Sequence, residues 1–193
     1  MKKKRLKVGV LALQGAVREH VRAFTACGAD VRTVKREQDL MELDGLVIPG
    51  GESTTVGKLL NRFGLWEPIR QRAQAGMGIF GTCTGMILLA GAGTGAGEPR
   101  LGLIECEVVR NAFGRQIDSF ETDLPIPVLG EPPFPAVFIR APYLVKPGPQ
   151  VEVLASLDGK IVLARQGRFL ASAFHPELTA DLRLHRYFLD LLG

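Results

Sequence analysis

The 193-residue chain is poor in the residues on which several protein classes depend. It has three cysteines, Cys27, Cys83 and Cys106. The count is odd, no two form a C-x-x-C pair, and no histidine stands at ligand spacing from any of them. A disulfide framework and a zinc site are therefore both disfavoured. No apolar run approaches the ~20 residues that cross a bilayer. Lys2-Lys3-Lys4-Arg5 followed by Leu6 to Leu11 resembles a signal peptide only superficially. The apolar stretch contains Lys7, runs on into Gln14, Arg18 and Glu19, and lacks a small-residue cleavage site. A cytoplasmic protein without a membrane partner is expected.

Charge of one sign is also scarce once the N-terminus is set aside. The formal charge is +4, from 24 basic and 20 acidic residues. The run from Lys2 to Arg5 supplies four positive charges, which leaves residues 6–193 close to neutral. No basic stripe with interleaved aromatics remains, so no nucleic-acid partner is expected. Two nucleotide motifs fail on inspection. Gly51 to Lys58 has five residues between its glycines where a P-loop has four, and Leu59 stands where Ser or Thr should follow the lysine. Gly91 to Gly97 follows a helical stretch, has Ala96 in the third glycine position, and reads as a surface loop.

What is present alternates between strand and helix. Leu6 to Leu13, Val31 to Val34, Gly45 to Pro49 and Met77 to Gly81 read as apolar strands. Val17 to Cys27 has helical spacing and Gly28 is placed to end it. A further helix over Thr54 to Phe63 is expected, with Ser53 as its cap, and Trp66 to Ala75 continues the helical region. This alternation predicts an α/β fold with a mostly parallel sheet and helices on both faces. The second half changes character. Leu103 to Arg110, Ala136 to Arg140, Val151 to Ser156, Ile161 to Arg165 and Phe169 to Phe174 read as short strands, with hairpin turns at Asp158-Gly159 and Gln166-Gly167. Pro125 to Pro135 reads as an irregular connection and Asp181 to Leu192 as a final amphipathic helix. With no repeat and no linker, residues 1–193 are expected to form one three-layer domain with a small antiparallel extension. His20 and His185 lie on the predicted amphipathic helices and read as surface or packing residues.

The chemistry is concentrated in Gly81-Thr82-Cys83-Thr84-Gly85, between the apolar run ending at Phe80 and the helical run from Met86 to Ala90. A Gly-x-Cys-x-Gly pentapeptide at a strand-to-helix junction is the thiol form of a nucleophile elbow. Its glycines permit a sharp turn, and the helix N-terminus favours thiolate over thiol. Cys27 and Cys106 read as packing residues. His175-Pro176-Glu177 supplies a histidine and a carboxylate two residues apart, completing a Cys-His-Glu set. Pro49-Gly50-Gly51-Glu52-Ser53 follows a strand and opens a helix, where free backbone N–H groups can bind an oxyanion or a carboxylate. In a doubly wound sheet the carboxyl ends of the strands share one edge, where all three segments would meet.

This combination resembles the triad-type (class I) glutamine amidotransferases, whose fold is flavodoxin-like. Within them it is similar to the glutaminase subunits of the deoxyxylulose-independent pyridoxal 5′-phosphate synthases. The resemblance runs through Leu13 to His20, Pro49 to Thr55, Arg110 to Gln116, Asp118 to Glu121, Phe138 to Pro142 and Phe174 to Thr179, nearly the whole chain. It implies an enzyme that hydrolyses L-glutamine, with Cys83 as nucleophile, His175 as proton acceptor and Glu177 orienting the imidazole. It implies an oxyanion hole from the N–H groups of Gly51 and Thr84, and a glutamine pocket of Gly51, Glu52, Ser53, Arg110, Ile139 and Arg140. An arginine suits an α-carboxylate, and Glu52 can answer the α-ammonium. Neither metal nor organic cofactor is required. The implied partner is a ring-building synthase barrel that receives the ammonia, with Gln14 to His20 and Asn111 to Gln116 as docking surfaces. Thr84 departs from the alanine expected there, and the N-terminal basic run is longer than expected. Two other readings stay open: a stand-alone amidase or γ-glutamyl peptidase, and a redox-sensing cysteine protein, which would need no His-x-Glu pair.

Overall fold

The computed structural model describes residues 5–93, 99–110 and 119–193. The first half is β1 (Lys7–Leu11), α1 (Val17–Ala26), β2 (Asp30–Val34), β3 (Gly45–Ile48), α2 (Ser53–Arg62), α3 (Trp66–Gln74), β4 (Gly78–Thr82) and α4 (Thr84–Leu89). There follow β5 (Ala90–Gly93), β6 (Ile104–Val109), β7 (Ser119–Leu124), β8 (Phe134–Ile139), β9 (Tyr143–Val145), β10 (Glu152–Leu157), β11 (Lys160–Gln166), β12 (Phe169–Ser172) and α5 (Arg183–Leu192). The main sheet has the order β2-β1-β3-β4-β12-β11-β9-β6-β5, with β10 paired to β11, while β7 and β8 form a separate hairpin sheet. The β2-to-β12 block is parallel throughout. The order turns antiparallel from β12 to β11 and stays so through β9 to β6.

The parallel block forms around central strands, β3 and β4, that are buried on both faces and apolar or small at every position but the last threonine of β4, while β2 at its edge is largely exposed. Alternation along β4 assigns the two helical layers. Phe80 packs against His185 and Phe188 of α5, and Thr82, on the same face, meets His20 of α1. Gly81, on the opposite face, lies against Leu89 of α4. Helices therefore cover both faces. Among the described residues no helix is long and apolar enough to cross a membrane.

Several sequence expectations change in detail. The cap of α2 is Glu52, whose carboxylate accepts from the backbone N–H groups of Thr54 and Thr55; Ser53 is already inside the helix. Ala90, read as the end of a helix, and Gly91 to Gly93, read as loop, form a strand because Ala90–Gly93 pairs in parallel with β6. The strands β7 and β9 carry too little apolar alternation to be read from sequence. β7 is fixed by its six-residue register with β8, and β9 by pairing on both sides, to β6 and β11. The Lys2-to-Lys4 part of the basic run and the expected docking loop from Asn111 to Gln116 lie outside the described residues.

Phe80 is fully buried, with its ring centroid 5.5 Å from that of Phe188. Replacing it by alanine leaves a cavity between β4 and α5 that rigid strands cannot close. Phe80→Ala is expected to lower unfolding stability by about 3–5 kcal/mol, read from urea denaturation.

Candidate active site

The elbow forms where β4 must pass directly into α4. Cys83 occupies that junction with φ 52° and ψ −101°, a conformation that a non-glycine residue adopts only when its surroundings impose it. The surroundings do so by backbone crowding. A Cβ on Gly81 would lie 2.4 Å from the Gly85 carbonyl carbon, and one on Gly85 would lie 2.2 Å from the Ile48 carbonyl oxygen. The two glycines thus let the turn close on itself and press against β3. The Cys83 N–H donates to the Ser172 carbonyl at 2.7 Å, pinning the elbow to β12.

His175 and Glu177 follow β12 directly. The His175 N–H donates to the Val137 carbonyl of β8 at 2.8 Å, so the hairpin sheet helps to hold the imidazole. His175 Nδ1 lies 2.8 Å from Glu177 Oε1, and both residues are buried. The ring also packs on Gly50, where a Cβ would stand 2.4 Å from its Cε1. Burial pulls the His175 ring towards lower pKa. Its hydrogen bonds to Cys83 and Glu177, with their negative charges, outweigh that and raise it to about 10. Burial pushes the Glu177 carboxyl up, yet His20 and the hydrogen bond and charge of His175 outweigh it and hold it below its ordinary value.

A cleft of 390 Å³ opens above the sulfur. Its lining brings together Gly51, Glu52, Ser53, Cys83, Thr84, Arg110, Ile139, Arg140 and His175 from five separate stretches of sequence. Glu177 stands behind His175 rather than in the lining. Gly50, Ala16, Ile87, Pro142 and Leu178 complete the wall. The Cys83 Sγ lies 3.8 Å from the Ile139 carbonyl, and the Arg110 Nη2 donates to Ser53 Oγ at 2.5 Å. The Glu52 carboxylate is occupied by its cap: it accepts from Thr54 N–H at 3.0 Å and Thr55 N–H at 2.6 Å. These bonds and that from the Thr55 hydroxyl bring its pKa down to about 2. The Glu52 N–H in turn donates to Gln14 Oε1 at 2.9 Å. Thr84 opens α4, so its N–H is one of the four without an intrahelical acceptor. Its hydroxyl donates to the Gly51 carbonyl, tying the glycine loop to the elbow. The other two thiols are elsewhere. Burial raises both Cys27 and Cys106, the latter to about 11. Among the described residues no group of His, Cys, Asp and Glu could hold a metal ion.

The chain matches the SNO glutamine amidotransferase family over residues 10–192. It belongs to that family. Similar curated proteins include the pyridoxal 5′-phosphate synthase subunit PdxT of Pelotomaculum thermopropionicum, 63% identical over 185 residues that cover 96% of this chain and 94% of the relative. The PdxT of Herpetosiphon aurantiacus is 59% identical and is covered in full by 96% of this chain. A crystal structure of a glutamine amidotransferase superposes with a TM-score of 0.91 at 52% identity, over 96% of this chain and 98% of the other. The Thermotoga maritima PurLQS structure, at 17% identity and TM-score 0.75, shares the fold.

Two histidines read from sequence as surface or packing residues are fully buried. His20 therefore cannot form part of an exposed docking surface, and its ring instead reaches the back of the site, as does Thr82. Thr82 Oγ1 accepts from the Gly50 N–H at 3.1 Å and lies 3.2 Å from His20 Nε2.

A histidine raised in the folded state binds its proton more tightly there than in the unfolded chain. His175 therefore contributes stability that is fully present below about pH 6.5 and is lost as pH rises through about 10. The urea-midpoint advantage of the wild type over His175→Gln is expected to be greatest near pH 6 and to decline steadily towards pH 10. An advantage that is flat across that interval would contradict the paired, protonated imidazole.

Proposed function

We propose that this chain is the glutaminase subunit of a pyridoxal 5′-phosphate synthase, hydrolysing L-glutamine to L-glutamate and ammonia and delivering the ammonia to a ring-building synthase subunit. The observation that carries the reading is the strained Cys83 in the lining of one cleft with His175, whose Nδ1 is held by Glu177. Relatives at 63% and 59% identity that carry the PdxT name support the same assignment.

The chemistry proceeds in two acyl transfers. The Cys83 thiolate attacks the side-chain amide carbon of glutamine, forming a C–S bond and placing negative charge on the carbonyl oxygen. The N–H groups of Gly51 and Thr84 receive that charge; one such donor is typically worth roughly 10²–10³ in turnover. The His175 imidazolium gives its proton to the amide nitrogen, the C–N bond breaks, and ammonia leaves a γ-glutamyl thioester. Water then attacks the thioester and passes a proton to His175, and the C–S bond breaks to release glutamate. Glu177 holds the ring in the required tautomer and stabilises its protonated form.

In the pocket, the guanidinium groups of Arg110 and Arg140 match the α-carboxylate of glutamine. Arg110 is steadied by Ser53. Glu52 faces the α-ammonium with an ionised carboxylate, as its lowered pKa requires. Ile139 presents its carbonyl beside the sulfur. The Gly51 carbonyl is tied to the Thr84 hydroxyl, which favours a loop that is reset on docking. We infer that the synthase subunit completes the oxyanion hole.

The test is ammonia release from L-glutamine by the purified chain, alone and with the synthase subunit. A low basal rate that rises when the synthase is added is expected, with Cys83→Ala abolishing both. Equal rates with and without the synthase would overturn completion of the hole by docking. Hydrolysis of γ-glutamyl peptides to glutamate and the free amino acid, with no ammonia released from glutamine, would put the amidase reading in its place. In His175→Ala the turnover is expected to fall by about 10⁴-fold or more.

A further inference from the structure

Behind Glu177 lie two buried imidazoles, His20 and His185, that the two acyl transfers do not use. Glu177 is 7% exposed, and its Oε2 is buried without a hydrogen-bond partner among the described residues. A carboxylate held by one oxygen only is costly to bury and free to turn about its own axis. His20 Nε2 lies 3.4 Å from Oε2. His20 is fully buried in a cage formed by Phe24, Phe80 and His185, so its ring cannot swing away. On the other side, His185 Nε2 lies 3.4 Å from His20 Nδ1.

The proton order along this column is constrained. Both rings are held in the neutral form, His20 by burial against the pull of Glu177, and His185 pushed down to about 3 by burial and by His20. Each ring therefore has a single N–H to place. If His20 carried its proton on Nδ1, its Nε2 lone pair would face the Glu177 carboxylate. His185 would then bury an N–H on its Nδ1, which has no partner among the described residues. If His185 donates from Nε2 to His20 Nδ1, its own Nδ1 keeps a lone pair and His20 Nε2–H points between Thr82 Oγ1 and Glu177 Oε2. Each order leaves one buried donor over, His185 Nδ1–H in the first and the Thr82 hydroxyl in the second, so the carboxylate decides. A lone pair on His20 Nε2 would face Glu177 Oε2 at 3.4 Å and leave that oxygen without a donor, which selects the second order.

We propose that His20 is a positioning residue of the glutaminase reaction: its Nε2–H holds the second oxygen of Glu177, with His185 fixing its tautomer, so that Glu177 keeps its first oxygen on His175. The proposal rests on the glutaminase reading for its kinetic consequence but not for its geometry. The sequence His185, His20, Glu177, His175, Cys83 becomes one chain of donors and acceptors running from α5 to the sulfur. A hydrogen bond at 3.4 Å is long, and bonds of this kind tighten as the transition state builds charge on the group they orient.

Two measurements test it. The first is the tautomer of His20 in the wild-type chain, read from imidazole ¹⁵N shifts. A neutral ring protonated on Nε2 is expected, and protonation on Nδ1 would overturn the proposal whether or not the chain hydrolyses glutamine. The second is kinetic, with synthase present. His20→Leu keeps apolar volume but removes the donor, and is expected to lower kcat by about 10- to 100-fold with little change in KM, the scale found when the outer partner of an oriented imidazole is removed. His20→Gln, whose amide N–H can take the place of Nε2–H, is expected to recover a large part of that loss. Equal losses in the two variants, at equal urea midpoints, would make His20 a packing residue only and overturn the proposal. So would wild-type kcat in His20→Leu.

Discussion

The backbone of Cys83 is held at positive φ by contacts that no side chain could share, and the rest of the site is arranged around that constraint. Gly85 lies against the Ile48 carbonyl and Gly81 against Gly85, so β3, β4 and the first turn of α4 are locked at one point. The sulfur is thereby presented at the carboxyl edge of the parallel strands, where β12 delivers His175 and β3 delivers the Gly50-Gly51 loop. The strain is offset by the large apolar core on both faces of the sheet, which leaves the elbow no alternative path. An oriented nucleophile needs this kind of over-determination, because a cysteine on a relaxed turn would sample positions away from its histidine.

Electrostatics follow from the same packing. His175 is buried between two groups that favour its charged form, and their combined pull exceeds the cost of burial. The site is asymmetric in depth. Towards the cleft stand exposed charged groups suited to an amino acid zwitterion, with Arg140 and Glu52 at the rim. Away from it the column of Glu177, His20 and His185 is dry and closed by phenylalanine rings. In the proposed reading, orientation is set from the dry side and substrate is read from the wet side.

Most of the fold was legible because its determinants are local. Uniformly apolar strands, Gly28 after α1 and the glycines of the elbow each carry their structural meaning within a few residues. The Cys-His-Glu set was legible because spacing and residue type coincide. What escaped was set by long-range contacts. β5 is a strand only because β6 runs beside it. Glu52 took the cap of α2 from Ser53 because its longer side chain can fold back onto Thr54 and Thr55. The placement of His20 did leave a trace: Val17, His20, Val21 and Phe24 recur at helical spacing, which puts the histidine on the buried stripe of α1. That pattern marks burial, but only the tertiary structure places Glu177 on its other side.

The account turns on Cys83 carrying the acyl group, and the most direct measurement is acid quenching during turnover of L-glutamine, followed by mass spectrometry of the peptides. A γ-glutamyl adduct on the peptide containing Cys83, formed from glutamine and lost as hydrolysis completes, is the predicted result. Ammonia release with no adduct on Cys83, or with an adduct on Cys27 or Cys106 instead, would contradict it.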